Sequence, residues 1–522
     1  MKSLVLTIAM MLNLWSGSAA ELAEAPLPVP TPAPAVLSVC VGTEGHTIDP
    51  GYLSDGEDAA VLHHLFEGLM KYAPVRGDKE MNDMALTCGL AESVQVSADG
   101  LTYRFTLRRD AMWSDGVPVR AGDFVYAWQR LLQTESYGAR QLGDVLASVT
   151  AEDDRLLTAV LKRPCPWFLK LCAEVYAAPV RRDLTETYGG DWTREENIAV
   201  SGAYTIAEWV HDDRMVLVKN PYYYDSVTVD AIDWQFADSP DRIAADFTAD
   251  VPDSTATGAV EKSGVYYLYL NANAIRDWRI RAAMLLAIDR ASIASQVGDG
   301  AAAAEGLVPA GISLTDGTAY RPETAPMLVW LQTKYPSYDL RSYEGRCSLA
   351  ADLYNQAVAE GTWSHGRTLQ YRYNVSEVNE TVMRCCCDDW LRVLGLTVTA
   401  APMTAEDYGK LLTTNTFDVA YLSWVADYDD PLCFLQIMER GGANNHSAWG
   451  SPQYNGLLEQ AAMSGEQRDS LLFAADCALF EAERFAVCPV YWFGEPYFAA
   501  DGITGIAHSS HSGYWFGNVK RQ

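Results

Sequence analysis

The residues best placed to do chemistry lie in the stretch Ser423-Trp424-Val425-Ala426-Asp427-Tyr428-Asp429-Asp430-Pro431. Asp427, Asp429 and Asp430 gather carboxylates directly behind Phe417-Asp418-Val419-Ala420-Tyr421-Leu422, an apolar run with a period near two that reads as a buried strand. Ligands often bind at the carboxyl end of a strand in an α/β sheet. A carboxylate there can hold an ammonium group through a charge-assisted hydrogen bond. The competing reading is a solvated acidic turn closed by Pro431. The pattern alone does not separate the two.

Other reactive groups are less organised. The run Cys385-Cys386-Cys387 suggests a metal site, but consecutive helical positions point about 100° apart and cannot share one ion. No Cys-x-x-Cys pair occurs, and neither His63-His64 nor His508 with His511 has the spacing of a zinc site. Eleven cysteines leave at least one thiol unpaired in a monomer, and small buried hydrophobes are the favoured reading for them. Neither a Gly-x-Ser-x-Gly elbow nor a His-Glu-x-x-His helix is present. Catalysis is therefore not expected, nor is a metal or other cofactor.

The elements that must position the acidic loop belong to a long chain. At 522 residues it exceeds what one core supports, so two or three lobes are expected. The formal net charge of -29 repels nucleic acid and anionic lipid, which excludes them as partners, and favours cations and amines. Residues 1–20 read as an export signal, with Lys2, an apolar run from Leu4 to Trp15, and small residues at Ser18-Ala19-Ala20. That run is too short to span a bilayer. Residues 21–35 form a Pro-rich linker. The mature protein is expected outside the cytoplasm, periplasmic or associated with the cell surface. Leu37-Ser38-Val39-Cys40 faintly resembles a lipoprotein processing box, but Val39 is bulky and Val36 to Val41 reads as a first strand.

Strand-type and helical runs alternate, which predicts a mixed α/β protein. Leu101 to Leu107 alternates strictly, and Ser97-Ala98-Asp99-Gly100 before it reads as a hairpin turn. Trp113-Ser114-Asp115-Gly116 is a second turn, and Phe124 to Leu132 an amphipathic helix with Asp123 near its start. Helices are predicted over Arg279 to Val297, Val382 to Leu394 (ended by Gly395) and Leu457 to Phe485 (broken near Gly465). Strands are predicted at Leu396 to Thr399 and Cys488 to Phe493.

In this order the segments resemble the extracytoplasmic solute-binding proteins of peptide ABC transporters, the oligopeptide-binding family (solute-binding family 5). The resemblance runs from about Leu37 to Phe516. It is carried by Leu65-Phe66-Glu67-Gly68-Leu69, by Leu101 to Arg108 with Trp113 to Val119 and Asp123 to Leu131, by Asn197 to Tyr204, and by Asn220-Pro221-Tyr222-Tyr223-Tyr224-Asp225. Arg281-Ala282-Ala283, Ala287-Ile288-Asp289-Arg290 and the approach to the acidic loop complete it. The implied fold is α/β and periplasmic-binding-protein-like, with two lobes around a two-strand hinge and an additional third lobe. Lobe I would comprise 36–70, 177–264 and 485–522, the peripheral lobe II 71–176, and lobe III 265–484.

The resemblance also implies a site. Asp427 would pair with a peptide's α-ammonium group, Ser423 and Val425 would hydrogen-bond its main chain, and Trp424, Ala426 and Tyr428 would stand beside them. Asp58 would contribute from a second pairing segment on the other lobe. Asn379 and Tyr267 are further candidates, although core packing is the commoner fate of the tyrosines Tyr266, Tyr267 and Tyr269. Main-chain pairing gives affinity without reading side chains. The chain departs from the family where basic residues often meet the ligand's carboxyl end, since Tyr421 and Leu412 stand there. A Trp common before the preceding helix is replaced around Ala405, the segment from Asp238 to Lys262 looks shortened, and the positions of a disulfide found in some relatives are Gly264 and Val425. The implied partners are an oligopeptide ligand and the permease and ATPase subunits of an ABC transporter, with the protein itself a monomer. The alternatives are a non-peptide solute on the same fold (a nickel chelate, haem or a sugar) or a peptide-sensing receptor without import.

Overall fold

The computed structural model describes residues 35–41, 43–53, 56–75, 81–236, 243–246, 258–320, 322–463, 465, 467–481, 484–510 and 513–521. The expected export signal, and all of the linker except Ala35, lie outside the described residues.

Local sequence and local structure agree closely around the expected strand Leu101 to Leu107. Thr102–Leu107 is a strand that buries Tyr103, Phe105 and Leu107 and exposes Arg104. Its preceding turn closes through the Gly100 amide, which donates to the Ser97 carbonyl at 2.9 Å with Gly100 at φ 68°, a conformation suited to glycine. The strand sits in a four-stranded antiparallel sheet with Ala91–Val96, Leu156–Leu161 and Leu146–Ala151. The helix Ala121–Leu131 buries Phe124, Trp128 and Leu131. Asp123 accepts from the Arg120 amide at 2.9 Å and from Trp113 Nε1 at 3.3 Å, tying the helix start to the second turn. The strands Met70–Pro74 and Met81–Cys88 fall within the stretch expected as lobe II. They instead form a sheet with Ile506–Ser509 and Gly513–Trp515 from the chain's end.

A larger sheet carries the rest. Its strands run in the order Val398–Met403, Leu369–Asn374, Val419–Val425, Gly258–Leu270, Val487–Ala499, Ile243–Asp246, Val36–Val41, Ala231–Gln235, Arg214–Lys219 and Tyr204–Val210, with Ala302–Ala303 added on Val487–Ala499. Gly258–Leu270 and Val487–Ala499 lie side by side in this sheet and pair with each other. Their mutual register breaks between Glu261 and Val265, where Lys262, Ser263 and Gly264 oppose Phe493. Such a bulge bends and twists a strand pair. Beyond the break, Val487 to Trp492 pairs with Tyr269 to Val265, and its end also with Ala302–Ala303.

Several helices differ from expectation. The run 279–297 forms two helices, Trp278–Ala287 and Arg290–Val297, because Ile288 is extended and Asp289 caps the second through the Ser292 amide at 3.1 Å. The helix predicted from Val382 begins earlier, as Glu377–Leu394, because Ser376 caps it through the Asn379 amide at 3.2 Å. It ends at Gly395, φ 64°, as expected. The late helical region divides into Pro452–Met463 and Arg468–Ala478.

Candidate ligand site

The site is built from the strand Val419–Val425 outward. It pairs antiparallel with Gly258–Leu270 along its whole length, with Leu270 opposite Val419 and Gly264 opposite Val425. The Ala426 amide donates to the Ser263 carbonyl at 2.8 Å, and the Asn271 amide to the Asp418 carbonyl at 3.0 Å. In an antiparallel ladder, residues alternate between those that bond to the neighbour and those that face away. These two bonds place the backbone groups of Ala420, Leu422 and Trp424 toward Gly258–Leu270. The amides and carbonyls of Tyr421, Ser423 and Val425 therefore point to the other edge. On that edge Leu369–Asn374 reaches only Val419 and Ala420. Among the described residues no strand covers Ser423 and Val425, and Val425 is 62% exposed. Gly264 and Val425 are direct cross-strand partners.

The acidic loop follows immediately, and its carboxylates have different surroundings. Asp430 is fully buried, caps Pro431–Leu435 through the Leu432 amide at 3.0 Å, and accepts from Arg468 Nη2 at 2.6 Å. Asp429 is buried as well. It accepts from the Ser313 amide at 2.7 Å, from the Ser313 hydroxyl, and from the Tyr72 hydroxyl at 3.2 Å. Lys170, also buried, lies 3.3 Å from its carboxylate and donates to its carbonyl at 2.5 Å. Asp427, at the end of the open edge, is only half-buried. Its amide donates to Cys433 Sγ at 3.1 Å, and its carbonyl accepts from the Tyr137 hydroxyl. Burial pushes the Cys433 thiol up to about 12 and the Tyr137 hydroxyl up as well, so both stay protonated at neutral pH. Tyr428 is buried, stacks on Trp167 with ring centres 4.6 Å apart, and donates to Gln436 Oε1 at 2.9 Å.

The remaining expected residues scatter. Ser423 is exposed and Trp424 half-buried; Ala426 is buried beside the ladder bond to Ser263. Asp58 lies in the first turns of the helix Gly56–Leu65, where a strand-like pairing segment was expected; its side chain lies outside the described residues. Tyr267, expected at the cleft, is fully buried, with its hydroxyl 3.3 Å from that of Tyr269; it is a core residue because its face of the strand packs inward. Asn379 is buried and its amide is engaged. Nδ2 donates to the Asn374 carbonyl at 2.9 Å and to the Tyr421 hydroxyl at 2.9 Å, while Oδ1 accepts from the Tyr266 hydroxyl at 3.1 Å. Tyr137, Trp167 and Lys170 gather at the loop although nothing local in the sequence marks the first two. A lysine within the apolar run Trp167-Phe168-Leu169-Lys170-Leu171 is itself a sign of a buried ion pair.

The family model for bacterial extracellular solute-binding proteins, family 5 (middle), matches residues 85–446. The chain belongs to this family. It is 27% identical to the periplasmic oligopeptide-binding protein OppA of Salmonella typhimurium over 94% of this chain and 93% of that one. It is also 27% identical to the periplasmic murein peptide-binding protein MppA of Escherichia coli, over 91% of each chain. Among solved structures, the unliganded open form of an MppA murein tripeptide-binding protein superposes with a TM-score of 0.75 at 24% identity, covering 94% of this chain and 98% of that one, and shares its fold. The fold is that of periplasmic binding proteins, mixed α/β. These relatives are named as binding proteins, and no described helix is long and apolar enough to cross a membrane.

Proposed function

We propose that the protein captures peptides between its lobes by adding their main chain to the open edge at Ser423 and Val425 and pairing their α-ammonium group with Asp427. It then hands them to the permease of an ABC transporter. One observation carries the reading. A two-residue stretch of strand edge that no described strand covers runs directly into the half-buried Asp427, and the two aspartates beyond it are parts of the interior. Strand addition binds any sequence through main-chain hydrogen bonds, and a carboxylate at the end of the edge fixes the peptide's register and direction. The bulged strand pair at 261–265 and 493 is the hinge over which the lobes would close, and a ligand shifts that equilibrium only by its differential affinity for the closed form. The peptide ligands named for the two relatives support this reading over a nickel chelate, haem or sugar.

Removing one partner of a buried, hydrogen-bonded charge pair costs roughly 2–5 kcal/mol. Asp427→Ala is therefore expected to weaken peptide binding at least tenfold with little change in melting temperature. Isothermal calorimetry against a short peptide library checks it, and unchanged affinity would remove Asp427 as the amine anchor.

A further inference from the structure

Resting on the peptide-capture reading, we infer that Cys433 is a positioning residue for the amine anchor. Its sulfur fixes the peptide unit of Asp427 and so sets how well the site tells a free α-ammonium group from a blocked one. The register with Gly258–Leu270 runs to Val425, and the Ala426 amide extends it to the Ser263 carbonyl at 2.8 Å. The outward set of amides, those of Ser423 and Val425, would continue at Asp427. The Asp427 amide instead donates to Cys433 Sγ at 3.1 Å. What Asp427 offers a ligand is then its carboxylate, not its main chain.

The element that carries the sulfur is itself anchored in the interior. Cys433 is buried in the short helix Pro431–Leu435. Asp430 caps that helix through the Leu432 amide at 3.0 Å, accepts from Arg468 Nη2 at 2.6 Å, and receives the Cys433 amide on its carbonyl at 3.1 Å. A buried ion pair thus reaches the anchor through one helical turn and one sulfur. Burial first, and the Asp427 carboxylate second, push the thiol up to about 12. The sulfur therefore meets the amide as a neutral acceptor and adds no second negative charge beside the anchor. On the other side of the residue the Asp427 carbonyl accepts from the Tyr137 hydroxyl, and Tyr428 is clamped by its stack on Trp167 at 4.6 Å. With amide and carbonyl both held, the backbone from which the carboxylate projects is fixed before a ligand arrives, and such preorganisation raises affinity. Without an acceptor at position 433 the Asp427 amide loses its partner, and its peptide unit turns to find another.

The test is calorimetric titration with trialanine and N-acetyl-trialanine, and the readout is the ratio of the two affinities. The wild-type protein is expected to prefer the free amine by about tenfold or more. In Cys433→Ala that preference is expected to fall by about fivefold, through weaker binding of trialanine alone. Cys433→Ser, which keeps an acceptor at the same position, is expected to retain most of it. Should Cys433→Ala not fold, Cys433→Val, which refills the volume without an acceptor, carries the same expectation. A residue that only supports the fold would weaken both peptides alike. An unmoved ratio in the variant without an acceptor, or a Cys433→Ser no better than it, would overturn the inference and leave peptide capture standing. A wild-type protein that binds both peptides equally would overturn the amine anchor, and one that binds neither would overturn peptide capture; the inference falls with either.

Discussion

At the scale of single residues, the acidic loop shows how identical side chains acquire different work. Asp429 and Asp430 are held by Lys170 and Arg468 in the interior, which makes them parts of the scaffold, whereas Asp427 sits at the end of the open edge. A buried carboxylate without a cation behaves differently again. Asp476 is fully buried, accepts from the Leu307 amide at 3.3 Å and the Tyr320 hydroxyl at 3.1 Å, and is pushed up to about 7 by desolvation. Its folded pKa lies above the ordinary aspartate value of 3.8, so the native state holds a proton that the unfolded chain releases between those values. Its contribution thus falls as pH rises from about 4 to about 7 and stays at its minimum above that. Asp476→Asn, which keeps the shape and the bond from the Leu307 amide while its Nδ2 donates to the Tyr320 hydroxyl instead of accepting from it, should stabilise the protein by a few kcal/mol, on the order given by the linkage relation, at pH 8 and by little at pH 4. Urea unfolding at the two pH values measures this, and an equal effect at both would show that Asp476 is ionised throughout.

At the scale of elements, the strand Val419–Val425 divides its backbone groups between two tasks by parity alone. Even-numbered residues hold it to Gly258–Leu270, and Ser423 and Val425 face outward. Proline removes an amide donor and is tolerated where the missing bond faced away from the ladder. Val425→Pro is therefore expected to weaken peptide binding about fivefold while shifting the melting temperature only slightly, since one hydrogen bond of about 1 kcal/mol is withheld from the ligand and none from the sheet. Trp424→Pro, one position earlier, breaks a ladder bond and should melt well below Val425→Pro. A pair of variants with equal stability would mean that the register on this strand is offset by one residue.

At the scale of the whole molecule, Asp429 is the point where distant parts of the chain converge. Tyr72 reaches it from the strand Met70–Pro74, Lys170 from the short helix Phe168–Leu171, and Ser313 from the loop between Ala302–Ala303 and the helix Pro326–Lys334. The Lys170 ammonium is fully satisfied, donating to the Ser313 carbonyl and hydroxyl at 2.8 Å each and to the Asp429 carbonyl at 2.5 Å. A buried pair of this kind adds little net stability, yet deleting one partner leaves a charge stranded and typically costs 3–5 kcal/mol. Lys170→Met should therefore lower unfolding free energy by roughly that amount, and adding Asp429→Leu should recover part of it. Denaturant titration of the single and double variants provides the cycle; a double variant less stable than Lys170→Met would mean that Tyr72 and Ser313, not the lysine, are what Asp429 holds together.

Much of this protein was legible from its residues. Strict alternation at Leu101–Leu107 and a period near two at Phe417–Leu422 indicated strands, Gly100 and Gly395 dictated the turn and the helix stop, and the order of motifs indicated the family and hence the α/β fold. Capping side chains moved helix ends away from the hydrophobic pattern, as Asp289 and Ser376 did, because a hydrogen bond to the first free amides outweighs periodicity at a terminus. The acidic loop was visible as a cluster, but that Asp429 and Asp430 belong to the interior was decided by Lys170 and Arg468, which arrive from 259 and 38 residues away respectively. Tyr137 at Asp427, the burial of Tyr267 and the engagement of Asn379 are likewise tertiary. Periodicity reports which face of an element is apolar; only the packed fold, where long-range partners compete for each polar group, decides which groups remain for a ligand.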